Sequence, residues 1–388
     1  MSTVVCPYCF EQFDSGDVHF LCRCRKERDA KYTNFWRGYS VPPQGHAIEP
    51  SRGFFAKMFS SDSTKCSDCG NKTFLKICPH CHNRIPNAMV AKRGKIISIV
   101  GARSSGKSNY IAVLINELRS HVRALGNIGV TAENVAEDKR LDTENRYYED
   151  FYNPLYVDNH CVAQTATGDI SSKVPMIFSV TSGRGETLHM VFYDTAGENF
   201  ETQANIADNV KFINESDAVI FLVDTDCVPE VRRRLGKTGH VDTRFDAILS
   251  NLLTHFTDGD KALARSFFSK PTAVVFSKID NILNNPRMFE TASIPGMSIT
   301  NNSSYLTGAP IRQEEFEANS AGLRGALELW GQTNFVNQLT HHFKNLKFFG
   351  VSALGSDPDR SKKINGELRP FRVLDPLVWI LTQFNFLK

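Results

Sequence analysis

The sequence predicts an α/β fold, a mostly parallel six-stranded sheet with helices on both faces over residues 93–388, preceded by a small cysteine-rich module over residues 1–92. Three observations predict it. Short β-branched or aromatic runs alternate with longer helical patterns after Lys95. A glycine-rich turn joins the first of those runs to a helix. Eight of the ten cysteines fall between Cys6 and Cys81.

At 388 residues and 41% hydrophobic composition, the chain can bury one large core and a small satellite. The net charge of +3 hides an asymmetry: through Lys95 there are 15 Lys/Arg against 8 Asp/Glu, and beyond it 30 against 34. A solvated basic face is the favoured reading, and contact with nucleic acid through Arg23, Arg25, Lys26 and Arg28 beside Tyr32, Phe35 and Trp36 is the alternative. The longest apolar runs, Ile96–Val100 and Ala218–Val223, are far too short for a membrane helix, and the first residues carry no export pattern. A cytoplasmic location is therefore expected, where cysteines serve as metal ligands rather than disulfides.

In the cysteine-rich module, Cys66-x-x-Cys69 and Cys78-x-x-Cys81 have the spacing of a zinc ribbon, because two intervening residues let both thiolates of one turn reach the same ion. Cys6-x-x-Cys9 with Cys22-x-Cys24 forms a second set. His19, His80 and His82 are candidate substitutes, and an interleaved pairing stays open. Four thiolates leave no open coordination position, so both zinc sites are expected to be structural. Cys161 and Cys227 stand apart and are expected to be buried apolar residues.

Beyond the module, Ile96–Val100 reads as a strand, and Ile111, Val113, Leu114, Ile115 and Leu118 mark one face of the helix that follows. Pro175–Val180 and Leu188–Tyr193 are joined by Ser182-Gly183-Arg184-Gly185, a hairpin signal that makes the first of them antiparallel. Ala218–Val223, Thr272–Phe276 and Phe348–Val351 complete the strands, with helices expected over Phe245–Phe256, Gly325–Phe343 and Leu374–Phe384. Two stretches, Thr131–Lys173 and Asn281–Ala321, are too long for simple connections and are read as insertions.

Gly101-Ala102-Arg103-Ser104-Ser105-Gly106-Lys107-Ser108 fits G-x-x-x-x-G-K-[ST] between that first strand and helix. Its glycines let backbone N–H groups turn inward on a phosphate, and the helix N-terminus adds positive partial charge. Lys107 is expected at the β and γ phosphates and Ser108 on Mg2+, with Asn109 counted among the nucleotide contacts. Asp194-Thr195-Ala196-Gly197 follows the third strand, where Asp194 can hold the magnesium through water and Gly197 can aim its N–H at the γ-phosphate. Ser277-Lys278-Ile279-Asp280 follows the fifth strand, and its Asp280 carboxylate can accept two hydrogen bonds from a guanine edge. Ser352-Ala353-Leu354 follows the sixth and can close over the base.

These four elements, in this order, resemble the TRAFAC class of P-loop GTPases, which includes the Ras-like proteins, over about Gly94–Lys388. The resemblance implies a Ras-like G domain that binds GTP or GDP with Mg2+ and hydrolyses GTP to GDP and phosphate. Phe348 to Gly355 with Arg372 to Leu377 is similar to bacterial double-GTPase-type proteins, a branch implied in conflict and defence operons, which implies a second GTPase or an effector as protein partner.

Three residues depart from the pattern. Ser277 stands where asparagine or threonine is usual, although a hydroxyl can still tie the loops together; an ATPase is the reading this departure motivates. Glu198 takes the place of a water-orienting glutamine, so hydrolysis is either slow or uses Glu198 as the base. Arg103 lies within the phosphate loop, as a cis-acting arginine or, the favoured reading, pointing to solvent. The threonine of the first switch is assigned to Thr167, with Thr165 in reserve. A GTP-bound scaffold with little hydrolysis is the rival to the switch, the zinc module being a docking surface in either case.

Overall fold

The structure, a computed structural model, describes residues 3–27, 29–50, 62–92, 94–102, 104–163, 170–193, 211–238, 244–258, 261–285 and 302–387. The N-terminal part is built from short pieces: β1 (Thr3–Val5), β2 (Gln12–Asp14), β3 (His19–Cys22), α1 (Ala30–Phe35), β4 (His46–Ile48), β5 (Thr64–Lys65), β6 (Lys72–Thr73), β7 (Lys76–Ile77) and α2 (Asn87–Ala91). β1 pairs with β2, β5 with β6, and β3 lies between β4 and β7, all antiparallel.

The remainder carries β8 (Lys95–Gly101), α3 (Lys107–Ser120), β9 (Gly129–Ala132), α4 (Thr143–Arg146), a wide π-helical segment Tyr147–Val157, β10 (Met176–Thr181) and β11 (Thr187–Phe192). It continues with β12 (Ala218–Asp224), α5 (Pro229–Arg234), α6 (Arg244–Asp258), α7 (Lys261–Ser269), β13 (Thr272–Ser277) and α8 (Asp280–Leu283). α9 (Gln313–Leu329), α10 (Thr333–His342), β14 (Leu346–Gly350) and α11 (Asp375–Gln383) close the chain.

Strands β8 to β14 form one mixed sheet in the order β14-β13-β12-β8-β11-β10-β9. β8, β11, β12, β13 and β14 are mutually parallel, and β10 is antiparallel to both of its neighbours. The sheet therefore has seven strands where six were expected. The seventh, β9, is a four-residue edge strand of mixed polarity whose pairing with β10 no hydrophobic period announces.

The strands alternate their side chains between two cores, as a fully buried sheet requires. Ile97, Ile99, Phe178, Ile220 and Val275 face α3, the π-helical segment and α11. Ile96, Val100, Ile177, Val191, Val219 and Val274 face α6, α7, α10 and the N-terminal part, which contributes Tyr8, Ile85, Met89 and Val90 to the same cluster. Gly94 permits that close contact, since a Cβ there would lie 2.7 Å from Met89 Cε and 3.2 Å from His189 Cβ.

One further expectation is corrected, and the two insertions gain detail. The helix expected over Gly325–Phe343 is two helices, broken at Gly331, whose φ of 78° only glycine adopts without strain. The stretch Thr131–Lys173 is largely structured, with α4 and the π-helical segment packed on α3; Tyr147 Oη donates to the Ala112 carbonyl at 3.1 Å. Within Asn281–Ala321, the described residues contain the end of α8, a 3-10 turn at Ser304–Thr307 and the start of α9.

Candidate functional site

After β8 the chain builds β9, β10 and β11 on one side of that strand, then crosses to place β12, β13 and β14 on the other. The reversal opens a crevice at the carboxyl ends of β8 and β12, where ligands of open α/β sheets sit. The ends of β8, β12, β13 and β14 deliver Gly101, Asp224, Ser277 and the Val351–Leu354 turn to that edge.

The glycine-rich loop has the backbone that the sequence pattern requires. Ser104 and Gly106 adopt φ of 64° and 83°, and α3 starts at Lys107. Gly101 is needed for a different reason, because a Cβ there would meet the Leu222 carbonyl oxygen at 2.6 Å and Ser105 Oγ at 2.7 Å. Lys107 is buried and its ammonium lies inside the loop, donating to the carbonyls of Gly101 at 2.8 Å and Ala102 at 3.4 Å. Ser105 Oγ is buried with no hydrogen-bond partner, and a buried polar atom left so is costly. A loop holding an ammonium and an unmatched hydroxyl beside a helix N-terminus fits an anionic ligand.

Ser277 joins this loop to the opposite side of the crevice. Its hydroxyl lies 2.8 Å from the Ser105 carbonyl and 3.2 Å from that of Val223, so one proton serves two acceptors. Lys278, at φ 56°, donates its ammonium to Asp224 Oδ2 and accepts from Thr225 Oγ1 at its carbonyl, 3.1 Å away. Burial acts to lower the Lys278 pKa, and the Asp224 carboxylate together with Asp226 and Asp357 more than offsets it, so the net shift is upward. Asp280 opens α8 and is buried. Burial raises its pKa, against a hydrogen bond with Ser352 that lowers it. The Ile279 N–H donates to the Val351 carbonyl at 3.1 Å, and Ser352 Oγ accepts from the Gly355 N–H at 2.8 Å. Ala353 and Leu354 are half-buried against the core beneath.

Asn109 spends its side chain on the protein itself. Its Oδ1 accepts from the Val162 N–H at 2.8 Å, so it secures the chain leading toward residue 164. Arg103, Thr165, Thr167, Asp194, Gly197 and Glu198 lie outside the described residues. Asp224 was missed, although a carboxylate ending the run Phe221-Leu222-Val223-Asp224 at a strand terminus is itself a signal.

The cysteines take the interleaved pairing that the sequence left open, in place of the ribbon of Cys66, Cys69, Cys78 and Cys81. Cys6 and Cys9 meet Cys78 and Cys81, whereas Cys22 and Cys24 meet Cys66 and Cys69. Beside them β3 pairs with β7, which sets His19 opposite Ile77, one residue before Cys78. Contacts of 3.7 Å link Cys6 to Cys81, Cys9 to Cys78 and Cys22 to Cys69, sulfur to sulfur, with Cys24 and Cys66 at 4.0 Å. Four sulfurs about 2.3 Å from a tetrahedral zinc stand about 3.8 Å apart, so both clusters could hold zinc.

Three turns share one construction. In Cys6–Phe10, Cys66–Gly70 and Cys78–His82, the fifth residue returns its N–H to the first carbonyl at 2.9–3.0 Å with φ between 55° and 73°. Hydrogen bonds from Cys6 and Cys81 hold the Cys78 thiol far below its usual range, and burial pushes Cys6 and Cys81 up.

His46 is a donor the sequence reading missed. It sits with Cys22, Cys24 and Cys66, its Nε2 3.4 Å from Cys66 Sγ. His19, His80 and His82 do not join the clusters: His19 Nδ1 lies 3.2 Å from His82 Nε2, and His82 Nδ1 2.8 Å from Asp29. Cys161 and Cys227 are half-buried, apart from both clusters. Tyr32 and Trp36 belong to the core, and Arg23 and Arg25 are paired with Glu137 and Asp68, so these residues do not form an open stacking face.

No family model matches the chain. A Mycolicibacterium smegmatis protein described as "Putative ESX-1 scaffolding and assembly protein SaeC" is 28% identical over 331 residues, covering 81% of each chain. Among solved structures, the Ski7 GTPase-like domain of S. cerevisiae, bound to GTP, superposes with a TM-score of 0.33 at 12% identity. That match covers 75% of this chain and 50% of the other, so the chain spans about half of that structure. No helix among the described residues is long and apolar enough to cross a membrane.

Proposed function

We propose that the chain is a Ras-like P-loop protein that binds GTP with Mg2+ at the carboxyl edge of its large sheet and hydrolyses GTP as a molecular switch. The observation that carries this reading is the Ser277 hydroxyl on the Ser105 carbonyl, which locks the turn before Asp280 to the phosphate loop. Phosphate grip and base selection then belong to one crevice. Gly101 to Ser108 would hold the phosphates, Lys107 neutralising them and Ser108 reaching the magnesium. Asp280 would accept from the guanine edge, with Ser352 to Leu354 closing over it. Asp194, Gly197, Glu198 and Thr167 would sense and act on the γ-phosphate.

The test is phosphate release by the purified protein under multiple turnover, with GTP and with ATP. Release above a Lys107→Ala control, and preference for GTP that disappears in Asp280→Ala, support the reading. Tighter ATP binding, indifferent to Asp280→Ala, rejects it.

A second reading, a GTP-bound scaffold that scarcely hydrolyses, is favoured by the relative described as a scaffolding and assembly protein and by Glu198 in the glutamine position. It predicts bound nucleotide with no release above the control. In both readings two zinc ions brace the N-terminal part, which offers a surface to a protein partner.

A further inference from the structure

The cysteine-rich part touches the large-sheet part on both sides of residues 194–210, the stretch to which the nucleotide reading assigns Asp194, Gly197 and Glu198. Tyr193 immediately precedes Asp194; its hydroxyl donates to the Pro7 carbonyl, inside the Cys6–Cys9 turn. Its ring packs at 5.3 Å on Phe10, the residue after Cys9, and at 4.9 Å on Phe212. Phe10 in turn lies 5.3 Å from Phe212. Lys211 pairs with Glu11, and Gln12 Nε2 donates to Glu215 at 2.7 Å. The chain is thus held on the Cys6–Gln12 loop immediately before residue 194 and again immediately after residue 210. A third contact sits just after residues 164–169, where the Lys173 ammonium lies 4.9 Å from the Tyr39 ring centroid.

We propose that the Cys6–Gln12 loop, shaped by its zinc, is the positioning element of the γ-phosphate site, so that zinc at the Cys6/Cys9/Cys78/Cys81 cluster and GTP at the phosphate loop bind cooperatively. The proposal rests on the nucleotide reading above. Tyr193 is the positioning residue. The metal fixes where the Pro7 carbonyl stands, and that carbonyl fixes the ring of Tyr193, the last described residue before the Asp194-to-Gly197 motif of the sequence. If GTP and Mg2+ engage that motif as the nucleotide reading has it, the ligand then favours the zinc-shaped loop that holds Tyr193, and linkage requires the effect to be equal in the other direction.

The experiment is an equilibrium competition for zinc between the full chain and a chelator, without nucleotide and with a saturating non-hydrolysable GTP analogue plus Mg2+. Nucleotide occupancy is read separately by fluorescence. The analogue is expected to tighten one of the two zinc ions at least about fivefold and leave the other, at Cys22/Cys24/Cys66/Cys69, unmoved. Tyr193→Phe, which removes only a hydroxyl, and Glu11→Gln are expected to reduce that shift while each protein still retains two zinc ions. Bound analogue with both zinc affinities unchanged overturns the coupling and leaves the nucleotide reading standing. A shift undiminished in both variants overturns the assigned route. No bound analogue in the wild-type chain overturns the nucleotide reading and the coupling with it.

Discussion

Asp280 and Ser277 carry different parts of the nucleotide reading, and single substitutions separate them. Asp280 is buried, and burial raises its pKa above that of the unfolded carboxylate. A carboxyl group protonated more readily when folded than unfolded makes stability fall as pH rises through the window between the two pKa values, a loss fully present above the folded pKa. Asp280→Asn removes that penalty, so at pH 7 its melting temperature is expected to equal or exceed the wild type. The same change replaces two acceptor positions by one acceptor and one donor. With charge-assisted hydrogen bonds worth about 1.5–3 kcal/mol each, GTP affinity should drop at least about 100-fold while ATP affinity scarcely changes. Wild-type GTP affinity should also decline on acidification at a higher pH than an ordinary aspartate would give, which equilibrium binding between pH 4 and 8 would check. Ser277→Ala leaves the carbonyls of Ser105 and Val223 without their shared hydroxyl. About 1–3 kcal/mol of stability should go, together with a weaker grip on both GTP and GDP. A variant that melts with the wild type and binds both nucleotides equally well would show that the tie has no such role.

At the level of elements, the cysteine turns were legible and their partners were not. Two-residue spacing identifies a metal-binding turn because it is a local property of the backbone. Which turns meet is a matter of tertiary contact between residues far apart in the chain, as Cys6 with Cys81 and Cys22 with Cys69 are. His46 was hidden for the same reason, since nothing near it in sequence is a ligand. The strands of the large sheet were readable from their apolar runs, apart from the short edge strand β9, and the phosphate loop from its glycines and lysine. For Asn109, adjacency to Ser108 in sequence says nothing about which side of α3 its amide takes, and the bond of that amide to Val162 was not legible. The nested arrangement predicts a pattern of metal loss. Cys9→Ser and Cys78→Ser should each lose the same one of two zinc ions, and Cys22→Ser and Cys66→Ser the other, as native mass spectrometry of single and paired variants would register. Loss of one common ion from Cys66→Ser and Cys78→Ser would restore the ribbon that the sequence spacing suggested.

On the scale of the whole molecule, the cysteine-rich part and the sheet share a core, which decides how the chain would respond to losing metal from its two cysteine clusters. Tyr8, Ile85, Met89 and Val90 are fully enclosed in the same cluster as Ile96, Ile177, Val191 and Val219. Arg84 and Arg23 reach Glu137 across the same boundary. A part built of such short strands buries little by itself, and a zinc ion held at each cluster would contribute on the order of 10 kcal/mol. When both ions leave, the sheet face formed by Ile177 and Val191 loses its cover, so the damage spreads into the large sheet. Calorimetry of the full chain should therefore give one cooperative transition with zinc, and excess chelator should move that whole transition down by at least about 10 °C. Chelated protein should also bind a dye that reports exposed apolar surface, because the uncovered face belongs to the sheet. A trace in which chelator removes a small low-temperature event and leaves the main transition where it was would mean that the two parts unfold independently, and that their apolar contact does not couple them.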